Sequence, residues 1–228
     1  MPNSFCVDKI LLLRSNLKQL IMKKIFVAIV ALIGLGSLQA QNVKYGLKGG
    51  LNIANLNVDE AGFPSTSSIV NFHIGGYAEI MINKKFAFQP ELLYSAQGAK
   101  FDFLYDDGAG NLYDTENTFK LSYINIPLMF KYYPESKFFL EAGPQIGFMT
   151  AAKLKVNVIG YGSDTQNIDE GFKDLDFGFN LGAGFNISKH AVINVRYNLG
   201  LSNIGENAEG ENGKVFNRVL SVSLGCNF

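Results

Sequence analysis

The sequence has no tryptophan, two histidines, two cysteines and six prolines in 228 residues, and its 20 basic side chains cancel its 20 acidic ones. Zero net charge removes the electrostatic footprint of a nucleic-acid binder. His73, His190, Cys6 and Cys226 show no metal-ligand spacing. No Gly-x-Ser-x-Gly stretch and no phosphate-cradling loop occurs. No catalytic residue, cofactor site or metal site is therefore expected. No apolar run approaches the roughly 20 residues a spanning helix needs.

What is abundant is glycine (24), phenylalanine (19) and tyrosine (10), a composition suited to short, closely paired strands. The one compact apolar run, 25–35, follows Met22-Lys23-Lys24 and precedes Ser37-Leu38-Gln39-Ala40. That order of positive, apolar and small residues is a secretory signal peptide over 22–40, with Leu38 a mediocre fit at its position. Residues 1–21 read as a start-site extension upstream of Met22, and 41–228 as the exported domain. Cys6 lies upstream of the signal, outside a lipoprotein context, so Cys226 stands alone and no intrachain disulfide is expected.

From Val43 onward, alternation with period two dominates. Tyr45, Leu47, Leu51 and Ile53 face one way; Lys44, Lys48 and Asn52 face the other. Similar segments centre on Ile74, Phe88, Ile126, Leu140, Phe179, Val195 and Val222, making eight in all. Their apolar faces carry no charge. The connections alternate between tight turns (83–85, 134–136, 188–190) and long polar loops (55–70, 99–118, 150–174, 203–216). An even number of roughly ten-residue alternating strands, with short and long connections in turn and after an export signal, is the pattern of an outer-membrane barrel. The expected fold is an all-β, eight-stranded antiparallel up-and-down transmembrane barrel. Its termini and short turns face the periplasm, and its long loops face outside the cell. Phe86, Phe88, Tyr132, Phe138 and Phe228 fall near the short-turn ends of the strands. Phe72, Tyr94, Phe148 and Phe177 fall near the long-loop ends, as two interfacial girdles. Pro90 and Pro144 each mark a bulge or an unneeded donor position. Gly49-Gly50, Gly75-Gly76, Gly182 and Gly184 read as bend and close-packing sites.

The stretch Tyr123-Ile124-Asn125-Ile126-Pro127-Leu128-Met129-Phe130-Lys131-Tyr132 resembles the fourth strand of PorT-like outer-membrane barrels. Leu140-Glu141-Ala142-Gly143-Pro144, Asp176-Phe177-Gly178, Leu181-Gly182-Ala183-Gly184 and Arg196-Tyr197-Asn198-Leu199-Gly200-Leu201 extend the resemblance over 42–228. Asn125 departs from the Glu often found there, which removes one interior charge. The resemblance implies a fold and an outer-membrane location, and little about activity. One branch of the family is linked to the type IX secretion apparatus, and nothing in this sequence ties it to that branch. The terminal Phe228 matches the aromatic that such barrels present to the barrel assembly machinery.

The inward positions carry Lys44, Lys48, Lys131 and Arg196 against Glu79, Glu91, Glu141 and Asp176, four bases facing four acids. Eight strands enclose a space just wide enough for side chains, where a charge must be paired. The expectation is a salt-bridge network that holds the barrel closed. His73, placed near the outer rim, reads as a satisfied interior histidine, and His190 as a turn residue. A non-enzymatic barrel follows, structural or binding an envelope or extracellular protein through its loops. The alternatives are a narrow channel or secretion-apparatus component and, at lower weight, a lipid-directed hydrolase. Outer-membrane lipid is the other expected partner.

Overall fold

A computed structural model of the chain describes residues 43–59, 62–106, 112–159, 162–206 and 213–228. The extension and signal peptide read from the sequence lie outside the described residues. Among the described residues there are nine strands and one short 3-10 turn: β1 (Val43–Asp59), β2 (Ser67–Met81), β3 (Phe86–Asp106), β4 (Leu112–Tyr132), β5 (Phe138–Val158), β6 (Gly162–Asn167), the turn Asp169–Gly171, β7 (Leu175–Asn186), β8 (Ala191–Gly200) and β9 (Lys214–Asn227). Hydrogen bonding runs β4-β3-β2-β1-β9-β8-β7-β5, and β4 also pairs with β5. Eight strands thus close into an antiparallel ring, which leaves no edge within it. β6 lies outside the ring, paired only with the upper part of β5.

Alternation decides which face turns inward. On β8, Val192, Asn194, Arg196 and Asn198 are buried while Ile193, Val195, Tyr197 and Leu199 are exposed. Leu47, Leu51, Ile74, Phe130, Leu181 and Leu224 are likewise exposed, although a soluble fold would bury them. The apolar belt on β3 runs from Phe86 to Ala96. At about 3.3 Å per residue and a tilt near 40°, that span rises about 25 Å along the barrel axis, the height of a lipid-facing band. Facing aromatics mark its ends. Phe86 pairs with Tyr132 (ring centroids 5.2 Å apart) and Phe88 with Phe130 (5.1 Å) on the short-turn side, and Phe72 with Tyr94 (5.8 Å) on the other.

The long connections differ from the expectation. β3 and β4 continue past the belt to Asp106 and from Leu112, paired throughout (Asp106↔Leu112). β5 runs on to Val158, and β6 folds back along it. Much of 99–118 and 150–174 is therefore hairpin rather than loop, and β1 likewise reaches Asp59. The reason is local: these segments are wetted on their outer face, so backbone pairing holds them without an apolar alternation to announce it. His73 also lies deeper than expected, six residues inside a β2 that begins at Ser67. Pro90 and Pro144 mark no bulge. The register runs through both unshifted (Pro90↔Leu128, Pro144↔Phe179). The shifts sit instead between Ser122 and Tyr123 on the β4–β5 ladder, and between Ser68 and His73.

Candidate functional site

The enclosed interior holds the polar and charged side chains of the membrane-spanning region, stacked in layers from the short-turn end. The lowest layer is apolar: Ala87, Tyr133, Phe139 and Val192, with Met81 against them. The Phe139 ring folds over the neighbouring strand β7, where its register partner is Gly184; a Cβ there would sit 2.2 Å from the ring. Gly50 and Gly75 are held by similar close approaches to facing backbone carbonyls, 2.0 Å from an added Cβ. Gly49 and Gly76, grouped with them from the sequence, have ordinary room at 3.5 and 3.6 Å.

Above that layer, Glu79 accepts hydrogen bonds from Lys131 Nζ (2.9 Å) and Tyr133 Oη (2.7 Å). The Lys131 ammonium also lies 4.2 Å from the Phe139 ring centroid, a cation–π contact. Next comes the centre of the network. Arg196 donates through Nη1 and Nη2 to both oxygens of Glu91 (2.9 and 2.8 Å) and through Nε to Glu141 Oε1 (2.9 Å). Lys48 donates to Glu91 Oε2 at 3.0 Å. Gln89 and Asn194 add amide donors to Glu91 (2.7 Å) and Glu141 (2.8 Å). The paired fork of Arg196 on Glu91 is a strong, directional form of ion pair. Each of these six charged residues comes from a strand whose inward parity puts it there, and all are buried.

Two of the eight expected members stand apart. Lys44 has inward parity but sits at the barrel's short-turn rim. Its side chain is 53% exposed and reaches Glu79 only at 3.8 Å. Asp176 is buried, yet among the described residues it makes no ion pair. It accepts from Asn217 Nδ2 (2.7 Å) and Ser202 Oγ (3.0 Å) instead. The four-against-four balance is therefore corrected: three bases and three acids form the buried network, and neutral donors hold the fourth acid. Phe228 is exposed on the outer face, its backbone N–H bonded to the Tyr45 carbonyl (2.9 Å).

Between the charges and Asp176 lies a layer of amides and hydroxyls. His73 contacts Asn52 Oδ1 through Nδ1 and Ser223 Oγ through Nε2, both at 2.8 Å. Asn52 directs its amide nitrogen at Ser95 Oγ (2.9 Å) and the Ala96 carbonyl (3.0 Å), so its oxygen faces His73. The proton then lies on Nδ1, and the Ser223 hydroxyl donates to Nε2. A hydroxyl, an imidazole and an orienting amide in this order match the geometry of an acyl-transfer triad. Parity alone put these residues inside; nothing in the sequence joined Ser223 to a histidine 150 positions away. The free space around them is about 30 Å³, lined by His73, Asn52, Ser223 and Lys48 among others. That is room for a water or two and not for an acyl chain. A second hollow of about 10 Å³ lies by Glu141 and Lys131. An apolar lid closes the upper end: Leu56, Ala99, Leu121, Tyr123, Met149, Ala152, Phe172 and Ile204.

A closed ring of eight strands with a lipid-height apolar belt outside and paired charges inside defines a small transmembrane β-barrel. Residues 39–206 match the model of the outer membrane protein beta-barrel domain, and the chain belongs to that family. It is an outer-membrane barrel. Among solved structures it is similar to Ail, the attachment invasion locus protein of Yersinia pestis, in complex with the heparin analogue sucrose octasulfate. That match has 13% identity over 82% of this chain and 100% of that one, with a TM-score of 0.47. It is also similar to Neisserial surface protein A (15% identity, 81% and 97% covered, TM-score 0.48). A third is the E. coli outer membrane protein W (15% identity, 83% and 100% covered, TM-score 0.39). No curated protein matches the chain.

Proposed function

We propose that the protein is a non-enzymatic, non-conducting outer-membrane barrel whose long hairpins present a rigid binding surface outside the cell. One observation carries this reading: among the described residues, the interior is filled from end to end. Apolar layers lie at both mouths, a hydrogen-bonded ion network lies between them, and the cavities beside that network measure only about 30 and 10 Å³. The β3–β4 hairpin continues about ten residues beyond the belt, roughly 25 Å of paired strand held above the membrane. Loops and hairpins on a rigid scaffold are where binding resides, and an envelope or extracellular protein is the partner they would meet. In this orientation the termini and short turns face the periplasm. The Tyr123 to Tyr132 stretch supports placing the chain in the PorT-like branch. Purified protein in a planar bilayer should give no discrete conductance steps. Reproducible single-channel events would refute the closed reading.

The second reading, a hydrolase, is favoured by one observation, the Ser223–His73–Asn52 geometry. Ser223 is 2% exposed and faces the closed interior, which argues for a structural role. A fluorophosphonate probe should leave the folded protein unlabelled. Labelling lost in Ser223→Ala would revive the hydrolase.

A further inference from the structure

On the outer face of β3, β4 and β5, the side chains change from apolar to basic at one level. The row Tyr94–Ile124–Phe148 belongs to the belt, as the register sets Tyr94 against Ile124 and Ile124 against Phe148. Ala96–Ser122–Ala151 follows. Lys120 then faces Gly98 on one side and Lys153 on the other. The next row is Lys100–Thr118–Lys155. Acids come only above it, in Asp102–Glu116–Asn157. Lys100, Lys120 and Lys153 are exposed and Lys155 is half-buried. Among the described residues, none of the four makes an ion pair.

The register shift on β5 makes this arrangement. Tyr123 pairs with Met149 but Ser122 with Ala151, so an extra residue reverses the parity above Thr150. Leu154 then turns in beside Phe119, while Lys153 and Lys155 turn out. Bulges commonly re-aim side chains in this way. The shift also sets Lys120 directly against Lys153, a like-charge cross-strand pair that is unfavourable on its own. Gly98, with φ of +138°, adds no side chain beside Lys120. A hollow of about 420 Å³ results, bordered by Val70, Lys100, Glu116, Thr118, Lys120 and Lys155. Small-ligand sites span roughly 300–1,000 Å³.

We infer that this lysine face binds the phosphorylated headgroup of an outer-leaflet glycolipid. The belt below would take the acyl chains, the two lysine rows sit at headgroup height, and the phosphate would relieve the Lys120–Lys153 repulsion. The acids one row higher define the upper edge of the site. The inference rests on the proposed orientation, with the β3–β4 hairpin outside the cell.

The test uses protein purified from outer membranes in mild detergent, with diphosphorylated lipid A and its phosphatase-treated form as probes and binding read by native mass spectrometry. The phosphorylated form should bind, and the treated form should bind much more weakly. Lys120→Gln/Lys153→Gln should weaken binding by about 25-fold, at roughly five-fold for each lysine neutralised near a charged lipid surface. Lys137→Gln, in a short turn, should leave it unchanged. Each variant is first checked for folding by the faster migration of an unheated sample. Equal binding of the two lipid forms, or no effect of the double variant, overturns the inference. So does full competition by inorganic phosphate at matched concentration, which would indicate a free-anion site. The orientation is read separately, by labelling a cysteine at Thr165 in intact cells. Binding in detergent together with labelling only after permeabilisation would overturn the outer-leaflet assignment through the orientation and not through the lysines.

Discussion

Replacing Arg196 by methionine tests the interior network most directly. The guanidinium is buried and makes three charge-assisted hydrogen bonds, two to Glu91 and one to Glu141. The two acids lose unequally. Glu91 keeps Lys48 at 3.0 Å and Gln89 at 2.7 Å, whereas Glu141, among the described residues, keeps only the Asn194 amide at 2.8 Å. Removing one partner of a buried pair typically costs about 3–5 kcal/mol, because the other charge stays desolvated. With a urea dependence of about 2 kcal/mol per molar, the unfolding midpoint should fall by about 1.5–2.5 M. Leu199→Met, on the lipid face of the same strand, nearly conserves volume and should cost less than about 1.5 kcal/mol, under about 0.8 M. Adding Glu141→Gln to Arg196→Met removes the orphaned charge and should recover much of the loss. The assay is urea unfolding in lipid vesicles, followed by gel migration of unheated samples. Equal midpoints for Arg196→Met and Leu199→Met, or no recovery in the double variant, would refute a dry, closed network. A wetted interior in which water screens Glu141 would then be the better description.

Phe172 is buried in the upper apolar layer, its ring edge-on to Phe119 with centroids 5.9 Å apart. Phe172→Ala should cost about 3–5 kcal/mol yet open no conductance in a planar bilayer, since the ion network still closes the barrel below it. Gly98→Ala should destabilise sharply, as its Cβ would lie 1.9 Å from the Phe119 carbonyl oxygen at a φ of +138°; Gly76→Ala, with 3.6 Å to its nearest neighbour, should unfold near the wild-type midpoint. In a Cys6→Ser, Cys226→Ser background, an impermeant maleimide should label Thr165→Cys on intact cells and Glu135→Cys only after permeabilisation. The reverse pattern would invert the orientation.

Period-two alternation determined by itself which side chains enter the barrel and which meet lipid. A strand has only two faces, and a transmembrane barrel must keep charge off one of them. Lys48, Glu79, Glu91, Lys131, Glu141 and Arg196 were legible for that reason, as were the ring of eight strands and its aromatic ends. Parity says nothing about height along the barrel or about which strands face each other across it. Lys44 therefore read as interior although it lies at the rim, and Asp176 read as ion-paired although Asn217 and Ser202 hold it. Only the closed register brings Ser223 to His73 and Arg196 to Glu91. The upper hairpins escaped the sequence for a related cause: their outer face meets water, so the apolar signal that announces a strand is missing while the backbone pairing remains. The reversal of parity at Thr150, which turns Lys153 and Lys155 outward, depends on one unpaired residue in a ladder. It is decided by how two strands align, Tyr123 against Met149 but Ser122 against Ala151, a property no single strand possesses.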